Sequence, residues 1–222
     1  MESSAPSCWS CGASHGGAMI CTQCEVLQAP GVGLNPFEVL GLPVRVLVDD
    51  AELAALHLRL TRKLHPDFFG DASPAEQAHS LEWSSRVNDA YRALRSLQAR
   101  AGQVLAVHGR SMDTTEGGWR PPQTMLLEVF EINEGLDTLQ EGPVAKGAEA
   151  LERWESTVQG WKEQVMEGMV SRAEAWDTAE GPAKEAVLDA LQEVLARSSY
   201  VENLRGRIER VRTALAESRG SA

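Results

Sequence analysis

The chain of 222 residues carries 21 Lys and Arg against 32 Asp and Glu, a net charge of −11, with 43% hydrophobic residues and 5% aromatics. That apolar share is enough for one large domain or two to three small ones. The acidic balance argues against nucleic acid as the main partner, because phosphate binding needs a basic field. No apolar run approaches the length of a membrane span. The opening stretch Met1-Glu2-Ser3-Ser4-Ala5-Pro6 has neither the basic start and apolar run of a secretory signal nor the arginines of a transit peptide. A cytoplasmic protein without membrane association is expected. Abundant Ala, Leu, Glu and Arg with little Ile and Phe lean the chain toward helix.

All four cysteines stand near the start, as Cys8-Trp9-Ser10-Cys11 and Cys21-Thr22-Gln23-Cys24. Each pair presents two sulfurs to one ion, and two pairs complete a tetrahedron. Cys8, Cys11, Cys21 and Cys24 are therefore the expected ligands of a structural Zn(2+), with Gly12 and Gly16-Gly17 giving the backbone the freedom that tight knuckles need. Three alternatives stand beside zinc. Two disulfides conflict with a cytoplasmic setting, and a redox dithiol lacks its usual strand–helix context. Iron on the same four thiolates stays open. The segment is too short to fold on an apolar core, so the ion supplies its folding energy, on the order of 10–16 kcal/mol. Four thiolates close the coordination shell and leave no position for catalysis. No Lys or Arg occurs between Met1 and Gly33, so the segment reads as a structural or protein-docking module, with His15 a solvated loop residue.

Residues 28–33 read as a linker. Asn35-Pro36-Phe37-Glu38 then starts a short helix, with an Asn cap, Pro at the first helical position and an acid in the first turn, that ends at Gly41. An extended connection follows, and Asp49 or Asp50 caps a helix to about Leu64 with Leu53, Leu56, Leu60 and Leu64 on its apolar stripe. Arg59, Arg62 and Lys63 cluster beside that stripe. A local basic face in an acidic chain suggests an acidic partner surface. Cations in a helix's last turn also suit its dipole without any partner.

Pro66 stops that helix near His65, which puts His65-Pro66-Asp67 on an exposed turn with an imidazole and a carboxylate held close. Ser73-Pro74-Ala75-Glu76 begins the next helix, expected to run to about Leu97 with Trp83, Val87, Ala90, Tyr91 and Leu94 on one face. The two antiparallel helices, braced by the short first one, make a hairpin domain. A shorter helix, about residues 99–108, ends at Gly109.

Residues 111–122 are polar and read as a second linker. Helices are expected at about 123–140, 144–176 and 182–217, and Glu141-Gly142-Pro143 and Glu180-Gly181-Pro182 are matching breaks. The stripe Ala148, Leu151, Trp154, Val158, Trp161, Val165 and Met169 on the middle helix, with a similar one on the last, gives an antiparallel three-helix bundle. Its three tryptophans, Trp154, Trp161 and Trp176, read as core. On the first helix Met125, Val129, Ile132 and Leu136 already complete a core stripe, so Leu126, Leu127 and Phe130 are surplus. Fringed by Glu128, Glu131 and Glu134, they mark either a second packing contact or a partner site. The fold class is all-α: a small tetracysteine ribbon (1–32), a helical hairpin (33–110), a linker (111–122) and a three-helix bundle (123–222).

The hairpin resembles a J-domain, in Leu64-His65-Pro66-Asp67-Phe68-Phe69 and the antiparallel helix carrying Val87-Asn88-Asp89-Ala90-Tyr91-Arg92-Ala93-Leu94. Within that superfamily the chain is similar to the HscB, or Jac-type, co-chaperones of iron–sulfur cluster assembly. The likeness extends to Asn35-Pro36-Phe37, Leu40-Gly41-Leu42-Pro43 and Leu105-Ala106-Val107-His108-Gly109, and to the tetracysteine segment that animal mitochondrial members also carry. It departs where members often place Pro after the Tyr-Arg-Ala-Leu helix and this chain has Ser96-Leu97-Gln98.

The resemblance implies that His65, Pro66, Asp67, Arg59, Arg62 and Lys63 meet a DnaK/HscA-type ATPase chaperone and stimulate it. It also implies that Leu126, Leu127, Phe130, Glu131, Glu134 and Tyr200 meet an IscU-type scaffold. No nucleophile–base set and no phosphate-cradling Gly loop is visible, so intrinsic catalysis is not expected. The alternatives are a general J-protein with a broad client range, a helical adaptor with a zinc ribbon, and a ribbon that carries iron or a cluster.

Overall fold

The computed structural model describes residues 6–110, 123–141 and 147–220. They form two compact units divided between Val107 and His108. The expected linker 111–122, the break at Gly142-Pro143, the start of the middle bundle helix at Val144 and the side chain of Ala148 lie outside the described residues. No β-strand and no helix long and apolar enough to cross a membrane occurs among them.

The first unit begins with two knuckles of the same design. In each, the amide after the second cysteine closes on the carbonyl of the first: Gly12 onto Cys8 and Glu25 onto Cys21, both at 2.9 Å. Both closing residues have positive φ, +75° at Gly12 and +58° at Glu25. Gly12 takes that conformation freely, whereas Glu25 carries its side chain into a region that L residues avoid. Isolated bridges Ser7–Ser14 and Ile20–Leu27 complete the ribbon.

Helix α1 (Pro36–Leu40) has the capping box expected of Asn35 and Glu38 and buries Phe37, Val39 and Leu40. Helix α2 (Asp50–Lys63) is capped by Asp49. A 3₁₀ turn (Pro66–Phe69) follows, capped by His65. Helix α3 (Pro74–Leu94) starts from a Ser73–Glu76 capping box and buries Trp83, Val87, Ala90 and Leu94 against α1 and α2. It stops three residues before the expected end. Ser96 caps a new helix there, its Oγ accepting from the Ala99 amide at 3.2 Å, so α4 spans Leu97–Val107 and absorbs Leu97. The turn forms without proline because serine satisfies an orphan N–H of the next helix.

Arg100 on α4 is 4% exposed, and its guanidinium donates to the carbonyls of Val46 and Leu94 and to Asp50. It thereby pins the extended connection before α2. Residues 28–31, the first part of the segment read above as linker, are packed on α3 together with Leu27. Leu27 and Gln28 are buried, and their carbonyls accept from the rings of His79 and Trp83.

The second unit contains α5 (Gln123–Glu141), α6 (Gly147–Thr178) and α7 (Ala183–Gly220). The apolar stripes meet as expected: Met125, Val129, Ile132 and Leu136 of α5, Leu151, Val158, Val165 and Met169 of α6, and Leu191, Val201, Leu204 and Ile208 of α7 are all buried. The tryptophans divide. Trp176 is fully buried, whereas Trp154 and Trp161 are only half-buried. The outer ring of Trp154 reaches α5 where Gly135 leaves room, since a Cβ there would stand 2.2 Å from it. Arg110 ties the entry of this unit to α7 through Glu185 and Asp189.

Candidate metal centre and partner-binding surfaces

The knuckles bring all four sulfurs within 4.8 Å of one another. Cys8 and Cys24 are 3.6 Å apart, and Cys11 and Cys21 3.8 Å. A tetrahedral ion with bonds of about 2.3 Å separates its sulfurs by about 3.8 Å, so the set fits one metal ion. These separations lie well outside a disulfide's length of about 2.0 Å. The amides of Cys11 and then Ser10 favour the Cys8 thiolate and lower its pKa to about 6. The amides of Cys24 and Gln23 lower that of Cys21. For Cys24 the Val26 amide favours the thiolate, but burial and the neighbouring cysteines outweigh it and push the thiol up to about 12. Without a cation the charge on Cys24 is thus disfavoured, and a cation among the sulfurs removes that penalty. His15 turns away and bonds the Ala18 carbonyl.

The His65-Pro66-Asp67 turn projects from the far end of the hairpin. The His65 and Asp67 side chains are 48% and 86% exposed, with Nδ1 and Oδ2 3.5 Å apart. Asp67's amide donates to His65 Nδ1 at 3.2 Å, so the cap orients the ring. Behind the turn, Ser80 and Ser84 of α3 both donate to the carbonyl of Leu64, at 2.7 and 2.9 Å. Arg59, Arg62 and Lys63 stand beside the turn and line an open groove of about 560 Å³ with Ala55, Leu58 and Phe68. Leu58 and Phe68 escaped the sequence reading, although both lie off every core stripe and are 51% and 75% exposed. Apolar floor and cationic rim suit a partner that is apolar in the middle and acidic at the edge.

On the second unit Leu126, Leu127 and Phe130 are 41%, 59% and 65% exposed, with Glu131 and Glu134 exposed around them. They are not consumed by packing within their own bundle. Tyr200, also exposed, lines a cleft of about 350 Å³ with Val129, Asn133, Leu204, Arg207 and Arg210, which connects α7 to the flank of α5. Sequence reading missed the polar half of this cleft. Arg207 holds Asn133 at 2.6 Å and also pairs with Asp137, a connection between distant positions that no spacing rule announces.

No family model matches the chain. It is 29% identical to the mouse iron–sulfur cluster co-chaperone protein HscB over 219 residues, covering 96% of this chain and 86% of that protein. The crystal structure of the human co-chaperone protein HscB superposes with a TM-score of 0.71 at 27% identity, covering 92% of this chain and 97% of the other. Chaperone HscB from Vibrio cholerae shares the fold, with a TM-score of 0.59 at 22% identity over 82% of this chain and 99% of that one. Similarity that runs over nearly the whole chain in sequence and in structure, together with the His-Pro-Asp hairpin and the acidic-rimmed bundle face, makes this chain similar to the HscB co-chaperones.

Proposed function

We propose that this protein is a co-chaperone of iron–sulfur cluster assembly that brings an IscU-type scaffold to a DnaK/HscA-type ATPase and accelerates that partner's ATP hydrolysis. The observation that carries the proposal is the exposed His65-Pro66-Asp67 turn beside a groove with an apolar floor and a basic rim. Such a surface is built to be covered by another protein. The chemistry is the partner's: His65, Asp67, Arg59, Arg62 and Lys63 dock, and hydrolysis follows in the ATPase.

The scaffold takes the other face. Leu126, Leu127 and Phe130 form its apolar centre, Glu131 and Glu134 its rim, and Tyr200 its far side. Holding the client on one unit and the ATPase on the other raises the local concentration of each for the other, so two modest affinities act as one larger one. The four-cysteine centre holds Zn(2+) in a closed shell and stabilises the ribbon, and its cysteines, none of them in a disulfide, suit a reducing compartment such as the cytoplasm.

Calorimetric titrations test the two surfaces separately. The scaffold should bind the wild type and a His65→Gln variant equally, and a Phe130→Ser variant at least tenfold more weakly. The ATP-bound partner should show the reverse preference. A scaffold that ignores Phe130→Ser contradicts the reading, and a partner that ignores His65→Gln does so as well.

A further inference from the structure

The four-cysteine centre and the His-Pro-Asp turn are joined by two sets of hydrogen bonds that meet on α3, and Gln28 is the first member of the set nearer the cysteines. Gln28 is 2% exposed. Its side-chain Nε2 donates to Cys8 Sγ at 3.3 Å and to the Val26 carbonyl at 2.8 Å. Its Oε1 accepts from the Trp9 amide at 3.3 Å. Its own carbonyl accepts from Trp83 Nε1 on α3 at 2.8 Å. One residue earlier, the Leu27 carbonyl takes the indole N–H of Trp9 at 2.8 Å and a proton from His79 Nδ1 at 3.2 Å. Within one turn of His79 and Trp83, Ser80 and Ser84 on the same helix hold the Leu64 carbonyl, the group next to His65.

We infer that the metal centre regulates the presentation of the His-Pro-Asp turn, with Gln28 as the positioning residue that passes metal occupancy to α3. The inference deepens the proposed function and rests on it only for its consequence in the ATPase partner. Residues 6–33 have no strand beyond two isolated bridges and bury few apolar side chains, so the ion decides whether the ribbon is ordered. With the ion bound, the first knuckle holds Cys8 Sγ in place as the acceptor of Gln28 Nε2. Gln28 then keeps its carbonyl on Trp83, whose indole is 2% exposed. When the ion leaves, the first knuckle loses its order, Cys8 Sγ is no longer held against Gln28, and the segment 26–31 loses its anchor. Trp83 N–H and His79 are left without their acceptors in a buried seam. The strain falls on the stretch of α3 that carries Ser80 and Ser84, and through them on Leu64 and the turn.

Hydrogen–deuterium exchange on the full chain, with Zn²⁺ bound and after chelation under reducing conditions, reads the coupling directly. Chelation is expected to speed exchange at least tenfold at residues 79–84 and 64–69, and to leave α5, α6 and α7 unchanged. Gln28→Ala should weaken Zn²⁺ binding about tenfold to a hundredfold. Trp83→Phe keeps an aromatic ring but removes the indole N–H, so chelation should no longer reach residues 64–69, while wild-type exchange in α2 and α3 before chelation confirms that the first unit is folded. The inference is overturned if chelation alters only residues 6–33, if Gln28→Ala binds Zn²⁺ like the wild type, or if the turn in Trp83→Phe responds as it does in the wild type. None of these readouts uses the ATPase, so a chain that fails to stimulate hydrolysis yet shows the exchange response loses the proposed function and keeps the coupling.

Discussion

Ser80 gives its hydroxyl proton to the carbonyl of Leu64 at 2.7 Å, and Leu64 directly precedes the His-Pro-Asp turn. The carbonyl sits at the end of α2, where an intrahelical partner is no longer available, and Pro66 two residues on has no N–H to offer. A buried serine on the opposite helix takes over the duty, with Ser84 as a second donor. Removing Ser80 alone should cost about 1 kcal/mol, because Ser84 remains. Replacing both by Ala should cost about 2–3 kcal/mol, more than the sum of the singles, since the carbonyl is then orphaned. Urea unfolding of the three variants checks the order.

Phe130 is 65% exposed, so its apolar surface stabilises little in the free protein. Phe130→Ser should change unfolding stability by less than about 0.5 kcal/mol. If the residue is an anchor of the scaffold contact, the same change should cost about 2 kcal/mol of binding, roughly thirtyfold in Kd. Thermal unfolding and a scaffold titration on one preparation separate the two effects.

Gly135 tests packing against propensity. In a free helix Gly→Ala gains up to about 1 kcal/mol. Here the new Cβ would meet the Trp154 ring at 2.2 Å, and overpacking of this kind costs about 1–3 kcal/mol. Gly135→Ala should therefore lower the Tm, and the same substitution in a Trp154→Leu background should raise it.

Glu25 occupies in the second knuckle the position that Gly12 holds in the first, at φ +58°. A side chain there costs roughly 1–2 kcal/mol, offset in part by the extra freedom glycine brings to the unfolded chain. Glu25→Gly should strengthen Zn²⁺ binding by a fewfold, measured by competition with a chelator of known affinity.

The sequence revealed what local chemistry announces. Asn35, Asp49, Ser73 and Pro66 set helix limits because capping and the missing proline donor act within a few residues. The surplus of Leu126, Leu127 and Phe130 was legible because their own helix already had a full stripe. The end of α3 was misplaced, since an apolar pattern runs through Leu94 and Leu97 and only the Ser96 cap breaks it. The docking of residues 26–31 was hidden for a different reason: Gln28 and Trp83 meet across 55 positions, through a backbone carbonyl that any residue possesses. Trp154 and Trp161 were placed too deep because periodicity assigns a face and not a depth.

In the proposed function one protein joins a scaffold to an ATPase and speeds the latter through His65 and Asp67. Single-turnover ATP hydrolysis by the DnaK/HscA-type partner, with and without this protein and with and without the IscU-type scaffold, is the decisive measurement. The wild type should accelerate hydrolysis, the scaffold should accelerate it further, and His65→Gln should do neither while still binding scaffold. Acceleration that persists in His65→Gln, or a wild type that leaves the rate unchanged, would contradict the account.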